Sequence, residues 1–315
     1  MNRTEPKRTL SRLPRWLPVV LALSVLFASP LLMASSPVSK SVAFAEPMSS
    51  VERQVREWAS VLSAQQPFSE WKDAKPDVQA LGPGTHGWLA ILKKNGRTVG
   101  YMVVHAASDG TYRLGEYGAG PNVLFSPAAL RKSLLENGLI RTENEAYSAI
   151  RHYYHPFAAV WEVTVGRESY WIDAKTGELL PFDRAGWEKA LPLIKPLEVE
   201  NAGASNQIGL GGTAAAGQSA VSWMREDSFD PYENLPWLTG KAPVSVRNGK
   251  KVQSLIRGGL HLRYVTEPYG DAALYALPVV GFVDWSGGSL DLALDMEGNR
   301  FIPILTLQKL GRFYE

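Results

Sequence analysis

The sequence predicts an α+β fold in which helix-plus-meander units, each with three antiparallel strands, precede a β-rich C-terminal domain. Three observations predict this fold: capping-box spacings ahead of helical periodicity, alternating strands joined by tight turns, and repeated strand-and-turn patterns near the C-terminus. The chain has 315 residues, 45% of them hydrophobic, which is typical of a globular protein. It has no cysteine, which excludes disulfides, thiolate metal sites, cysteine nucleophiles and lipid-modified cysteine anchors.

The first residues have the pattern of an export signal. Five cations precede an apolar run over residues 17–33, namely Arg3, Lys7, Arg8, Arg12 and Arg15. A basic stretch before an apolar segment keeps the N-terminus in the cytoplasm and directs the following chain across the membrane. The run is long for a signal peptide and short for a spanning helix, so residues 1–45 are either a signal cleaved after Ala45 or a membrane anchor. Both interpretations place residues 46–315 outside the cytoplasm, either secreted or anchored to the cytoplasmic membrane.

The positive charge of the chain is concentrated in this leader. Residues 1–45 contain six of the 33 lysines and arginines but one of the 31 aspartates and glutamates. The rest of the chain has 27 cations against 30 anions and is mildly acidic. Because it has no basic cluster, it lacks an electrostatic footprint for nucleic acid, which is excluded as a partner.

Residues 46–122 are predicted to form a helix followed by a three-stranded meander. Ser49 and Glu52 have the spacing of a capping box, and apolar residues then recur on one helical face. Asn95-Gly96 is the dipeptide that best fits a two-residue hairpin turn. The predicted elements are a helix over 51–64 and strands over 88–93, 98–105 and 111–116.

Residues 123–199 are predicted to repeat this order of helix and strands. Ser126-Pro127 marks the start of a short helix, which Gly138 ends. A further capping-box spacing, between Thr142 and Glu145, precedes helical periodicity and predicts a second helix. The elements predicted after the short helix are a helix over 142–155 and strands over 160–165 and 169–173.

Residues 142–181 resemble a PepSY domain. The shared pattern is a helix, an alternating strand and a hairpin that ends in an Asp-Ala-Lys-Thr-Gly-Glu turn at 173–178. Residues 51–117 are similar to a divergent second copy that lacks this turn. The resemblance implies an extracytoplasmic binding module with an inhibitory or regulatory role. The candidate binding residues are Trp161, Tyr170, Trp171, Asp173, Thr176, Gly177 and Glu178.

The same turn residues can also serve only to stabilise the local backbone. Gly177 permits positive φ, and Asp173 and Thr176 can form hydrogen bonds with nearby backbone. The sequence therefore leaves two interpretations of this turn, direct ligand contact and local structure.

Two further segments complete the chain. Residues 200–219 are rich in glycine, alanine and serine and are predicted to be a flexible linker. Within them, 212–219 nearly match a nucleotide-binding loop, but Gln218 replaces the lysine that contacts phosphate, so nucleotide is not a predicted ligand. Residues 220–315 are predicted to form a β-rich domain. Its predicted strands cover 252–256, 260–266, 274–285, 289–295 and 300–305.

The sequence contains no recognisable catalytic motif, so no catalytic residue is predicted. His152 and His155 lie three residues apart around the end of the second predicted helix, but no third ligand completes a metal-binding spacing, so neither a metal nor a cofactor is predicted. Asp291 and Asp295 are about 13 Å apart along a strand, too far for a catalytic carboxylate pair, and are assigned to its solvent-facing side. Six tryptophans either line a binding groove or pack in the core: Trp161, Trp171, Trp187, Trp223, Trp237 and Trp285.

These observations predict a non-enzymatic protein of the bacterial envelope that binds a protein or peptide, with peptidase inhibition as one regulatory role. Contact with the membrane is expected through residues 17–33 if they are not cleaved. Two alternatives remain open: an envelope hydrolase whose carboxylates converge in the fold, and a structural component of an envelope complex. The sequence predicts no oligomeric state.

Overall fold

A large antiparallel sheet and a smaller one organise residues 49–197, 218–246 and 248–315, which a computed structural model describes. Helices combine with these sheets, so the α+β class is confirmed. All of these residues belong to one compact unit. The predicted export segment (1–45) and linker residues 200–217 lie outside the described residues. None of the described helices is both long and apolar enough to cross a membrane.

The bounds of the elements are as follows. The described helices are α1 (Ser50–Leu62), α2 (Pro127–Glu136), α3 (Arg184–Ala190), α4 (Gly249–Arg257) and α5 (Ile304–Leu310), with short 3-10 helices at Ser69–Trp71 and Leu191–Leu193. The described strands are β1 (Lys75–Ala80), β2 (Gly87–Lys94), β3 (Arg97–Ala106), β4 (Tyr112–Ala119), β5 (Ser148–His155), β6 (Ala158–Val165), β7 (Glu168–Asp173), β8 (Ala220–Met224), β9 (Arg263–Thr266), β10 (Pro268–Asp271), β11 (Tyr275–Trp285), β12 (Leu290–Asp295), β13 (Asn299–Pro303) and β14 (Arg312–Tyr314). The large sheet has the order β1-β2-β3-β4-β13-β12-β11-β9-β14, with β8 also paired to β11, and the small sheet is β5-β6-β7.

Local signals fix several of these boundaries. Ser49 and Glu52 form the predicted capping box, in which each backbone N–H donates to the other side chain, at 3.0 and 3.2 Å. Asn95 and Gly96 have φ angles of 51° and 77° and form the predicted turn between β2 and β3. The side chain of Ser126 caps α2, as its position before a proline predicts.

Two predicted elements are wrong. The helix predicted over 142–155 is replaced by the strand β5, because pairing with β6 outweighs a short helical periodicity. The strand predicted over 252–256 is part of α4, where Asn248 caps the helix and Val252 and Ile256 are buried. A short apolar run does not distinguish a strand from a buried helix. The sequence pattern also does not predict β1, α3 or α5.

The N-terminal strands of the large sheet are covered on both faces. On one face they form a core with Val55 and Trp58 of α1. On the other face they form a core with Leu134 of α2 and Val163 of the small sheet. Consecutive strand residues such as 89–92 are therefore all buried. Strands covered on both faces do not alternate between apolar and solvent-facing positions.

A buried ion pair joins the C-terminal strands to the rest of the fold. Arg300 on β13 donates to Glu116 on β4 through Nε and Nη2, at 2.6 and 3.0 Å. Arg300 Nη2 also donates to the carbonyl of Pro156, in the connection between β5 and β6. Both side chains of the pair are completely buried. The pair therefore links two strands of the large sheet to the small sheet.

A second buried cation links the same parts of the fold. Lys175 Nζ donates to the carbonyls of Asn122 and Glu297, each at 2.8 Å. Burial lowers the pKa of Lys175 to about 8, with a smaller contribution from the charge of Arg300. Lys175 thus connects the chain after β7 with the residues that follow β4 and precede β13.

Replacing Arg300 with methionine is expected to lower the free energy of unfolding by about 3–5 kcal/mol, because it leaves the Glu116 carboxylate buried without its cation. Urea-induced unfolding followed by tryptophan fluorescence measures this change. The double variant Arg300→Met/Glu116→Gln removes both charges and is expected to recover most of the loss. Equal stability of the single and double variants would contradict the proposed penalty for an unpaired charge.

Candidate functional site

The 173–178 turn follows β7 and is held by its own side chains. Asp173 Oδ1 accepts hydrogen bonds from the backbone N–H groups of Lys175 and Thr176, both at 2.8 Å. Thr176 Oγ1 accepts one from the N–H of Glu178 at 3.2 Å. Gly177 has a φ of 77°, in the left-handed region that favours glycine. The local bonding role predicted for these residues is therefore confirmed.

The turn is also fixed to α2 and to β11. Asp173 Oδ2 accepts a hydrogen bond from Tyr275 OH at 2.9 Å. The hydroxyl of Ser133 on α2 donates to the carbonyl of Gly177. Burial, aided by the Asp173 carboxylate, raises the pKa of Tyr275 well above its usual range. Tyr275 therefore stays protonated and remains a hydrogen-bond donor to the turn.

These elements surround a cavity of about 680 Å³, which we name the turn groove. It is lined by Ser133 and Glu136 of α2, by Asn137 directly after the helix, by residues 176–181, by Tyr232 and by residues 273–275. Its lining combines aliphatic and aromatic side chains with amide, hydroxyl and carboxylate groups. Such a mixture in a concave surface is typical of a binding site.

The fold brings part of the predicted binding set to this groove. Thr176, Gly177 and Glu178 line it, and Asp173 is bonded to the lining residue Tyr275. Tyr170 is half-buried on β7 and is not among the lining residues. The turn is therefore the part of the predicted binding set that lines this groove.

The predicted tryptophans mostly pack in the core. Trp161 is buried edge-on against Phe125, with ring centroids 5.2 Å apart. Trp171 is buried against Trp187, with ring centroids 5.5 Å apart, and Trp285 is also buried. Two others are only half-buried, Trp223 and Trp237. None of these six side chains lines the turn groove.

Sequence analysis missed the wall opposite the turn. Tyr232 lies in the segment between β8 and α4, and Leu274 directly precedes β11. Leu179 and Tyr232 are large apolar side chains that are 38% and 48% exposed. No local pattern relates Leu179 to residues so far along the chain, so the signal that identifies this wall is exposure in the folded state.

Asp291 is buried, and its predicted solvent-facing position is wrong. It is 3% exposed, and its Oδ2 accepts hydrogen bonds from Tyr117 OH at 2.9 Å and Trp285 Nε1 at 2.8 Å. Burial raises the pKa of the Asp291 carboxyl to about 6 against the opposing effect of these bonds. The predicted alternation of buried and solvent-facing residues fails because both faces of β12 are covered. Asp295, at the end of the strand, is half-buried.

The histidine positions also differ from their prediction. His152 and His155 lie on β5 and not at a helix end. His152 Nε2 is 2.9 Å from Glu162 Oε2, and His155 is buried. A second cavity, of about 650 Å³, is lined by His152, His86 and His105. Across the described ranges, no group of three or more histidines, cysteines, aspartates or glutamates is arranged to hold a metal ion.

Asp291 gives the protein a defined pH dependence of stability. Its pKa is 3.8 in the unfolded chain and about 6 when folded, so the folded state binds more protons between these values. The contribution of Asp291 to stability therefore falls as pH rises from about 4 to 6, by roughly 3 kcal/mol in total. Asp291→Asn keeps an acceptor for Tyr117 and Trp285 and removes this titration. Urea unfolding at pH 4, 5, 6 and 7 should show that Asp291→Asn becomes more stable relative to wild type as the pH rises. A difference in unfolding free energy that stays constant across this range would exclude a raised pKa of Asp291.

Comparison of the chain with protein-family models, with curated proteins and with solved structures finds no match. The PepSY resemblance of residues 142–181 therefore rests on their sequence pattern. Of that pattern the 173–178 turn is formed, whereas the predicted helix is the strand β5.

Proposed function

We propose that this chain is an extracytoplasmic, non-enzymatic binding protein of the bacterial envelope that holds a protein or peptide segment in the turn groove. The observation that carries this proposal is the groove itself, a cavity of about 680 Å³ beside a turn that the fold holds rigidly. Its volume lies within the usual range of roughly 300–1,000 Å³ for ligand pockets. A regulatory role, including inhibition of a peptidase, follows from the PepSY resemblance of the turn.

The chemistry of the lining supports a polypeptide ligand. Leu179, Tyr232 and Leu274 offer apolar and aromatic contact, while Asn137 and Thr176 offer hydrogen-bonding groups. A polypeptide segment presents the same combination, because each residue carries a polar backbone beside its side chain. Aromatic and aliphatic anchors surrounded by polar groups are the usual basis of such recognition.

The rigidity of the groove favours binding. Leu180 N donates to the carbonyl of Trp171 at 2.8 Å, and Leu179 forms an isolated β-bridge with Ile172. The segment after the turn therefore lies against β7 as a short extra strand. A wall that is already ordered loses little conformational entropy when a ligand binds, which increases affinity.

The groove lacks the features of a glycoside-cleaving cleft. Its lining carboxylates, Glu136 and Glu178, are both exposed to solvent, and no tryptophan within the described ranges lines it. The buried carboxylates of Glu116, Asp173 and Asp291 accept hydrogen bonds from the protein itself. These observations favour binding over hydrolysis.

A single apolar substitution tests the groove. Leu179→Asn removes an apolar contact without changing the charge. It is expected to weaken peptide binding about three- to sevenfold, since fully burying a leucine contributes about 1.5–3 kcal/mol and Leu179 is 38% exposed. Peptides selected from a random display library on the purified protein supply the probes, and fluorescence anisotropy measures their dissociation constants.

The matched control is Ile150→Asn, which changes an apolar residue that is 48% exposed on β5 and does not line the groove. It is expected to leave binding unchanged. Selected peptides that bind both variants as tightly as wild type would place recognition outside the turn groove and overturn the proposal.

Export is tested separately with the N-terminal segment. Residues 1–60 fused to a phosphatase that is active only outside the cytoplasm are expected to give full activity in a bacterial host, because the segment pairs a basic stretch with an apolar run. Leu23→Arg/Leu26→Arg in the fusion interrupts the run and is expected to abolish that activity. Equal phosphatase activity in both fusions, or none in either, would contradict an extracytoplasmic location.

A further inference from the structure

The charges at the turn groove have one sign. Among the residues that the structure describes, Glu136 and Glu178 are the charged ones that line it, and none of the described lysines, arginines or histidines does. Both side chains are exposed; Glu136 is the last residue of α2, and Glu178 is at the end of the turn. The rim of the groove is therefore acidic, although the body of the chain is close to neutral.

The end of α2 adds to this negative potential. The helix ends at Glu136 and has no basic residue in its last turn. Its backbone dipoles are equivalent to roughly half a negative charge at that end, which a cation normally balances. Here a carboxylate lies at the same end. The groove thus combines two carboxylates with the negative end of a helix.

Neighbouring cations do not neutralise the groove. Lys132 Nζ is 3.7 Å from Glu136 Oε1, but both side chains are largely exposed, and such pairs are weak and screened by solvent. Lys175 is adjacent to the turn in sequence, yet its ammonium is held by the carbonyls of Asn122 and Glu297, which do not line the groove. These two lysines therefore offset the negative charge of the rim only in part.

Apolar surface lies beside these carboxylates. Leu179 directly follows Glu178, and Tyr232 lines the same cavity. The ring of Tyr232 is supported edge-on by Trp237, with centroids 5.9 Å apart. An aliphatic or aromatic ligand side chain can pack against Leu179 and Tyr232 while a neighbouring cation lies at the acidic rim.

We infer that the turn groove selects polypeptide segments in which a lysine or arginine adjoins an apolar side chain. This inference rests on the proposed function and specifies the ligand of the same groove. A polypeptide is favoured over a small polyamine because the exposed Leu179 and Tyr232 offer contact to a branched or aromatic side chain, whereas a polyamine has only short methylene linkers between its charges. The two glutamates provide charge complementarity, and the apolar walls provide most of the buried area.

The test uses an octapeptide display library in which a central leucine is fixed and its two neighbours are randomised. Selection on the purified full chain is expected to enrich lysine and arginine over aspartate and glutamate about tenfold, the factor that two exposed ion pairs supply. The enrichment is expected to fall as sodium chloride is raised from 50 to 300 mM, because salt screens exposed charges.

Two double variants test whether the preference for lysine and arginine arises in the groove. Glu136→Gln/Glu178→Gln is expected to reduce the enrichment of basic residues below twofold. The control Glu57→Gln/Glu70→Gln removes two exposed glutamates elsewhere, one of them in a comparably long ion pair of 3.8 Å with Arg97, and is expected to retain it. Circular dichroism confirms that each variant is folded.

The outcomes separate this inference from the proposed function. The inference alone would be overturned if peptide binding depends on Leu179 but shows no preference for lysine or arginine. It would also be overturned if that preference survives Glu136→Gln/Glu178→Gln. Loss of Leu179 dependence would overturn the proposed function as well. A soluble polyamine, spermidine, is the competing probe, and its displacement of peptide from the wild type but not from Leu179→Asn would argue against a polypeptide ligand.

Discussion

The buried ion pair between Arg300 and Glu116 constrains how the C-terminal strands join the rest of the fold. Removing two charges from water costs several kcal/mol per ion, and the pair offsets this cost through its bidentate geometry and the added bond to the Pro156 carbonyl. It also specifies strand register, because shifting β13 by one residue against β4 would turn Arg300 towards the opposite, apolar face. One contact therefore aligns strands whose bonded residues are 184 positions apart in sequence.

The shape of the turn groove depends on the same alignment of strands. Lys175 connects the turn to residues near β4 and β13, and Asp173 connects it to Tyr275 on β11. The walls of the groove come from three distant parts of the chain, and these buried bonds keep them in place. If β13 lost its register, both Glu297 and Tyr275 would lose their positions relative to the turn. The geometry of the groove is thus a consequence of the buried polar contacts behind it.

Sequence reasoning succeeded where the deciding interaction is local. The capping box of Ser49 and Glu52 and the positive φ of Gly177 depend on residues a few positions apart. It failed where distant partners decide: β5 is a strand because β6 pairs with it, and Asp291 is buried because Tyr117, 174 residues away, covers it. For the same reason the turn was predictable, whereas the opposite wall of the groove was not.

The sequence left two interpretations of the 173–178 turn, local structure and ligand contact, and different residues of the turn fit each of them. Asp173 and Lys175 are buried and bond to the fold, whereas Glu178 and the following Leu179 are exposed and line the groove. Tryptophan was the residue type that suggested binding most strongly, yet large apolar side chains gain most from burial, and Trp161 accordingly packs in the core. We propose that recognition uses the side chains that the structural bonds keep at the surface. A carboxylate beside a leucine, both held by the turn, would complement a ligand that carries a cation beside an apolar group.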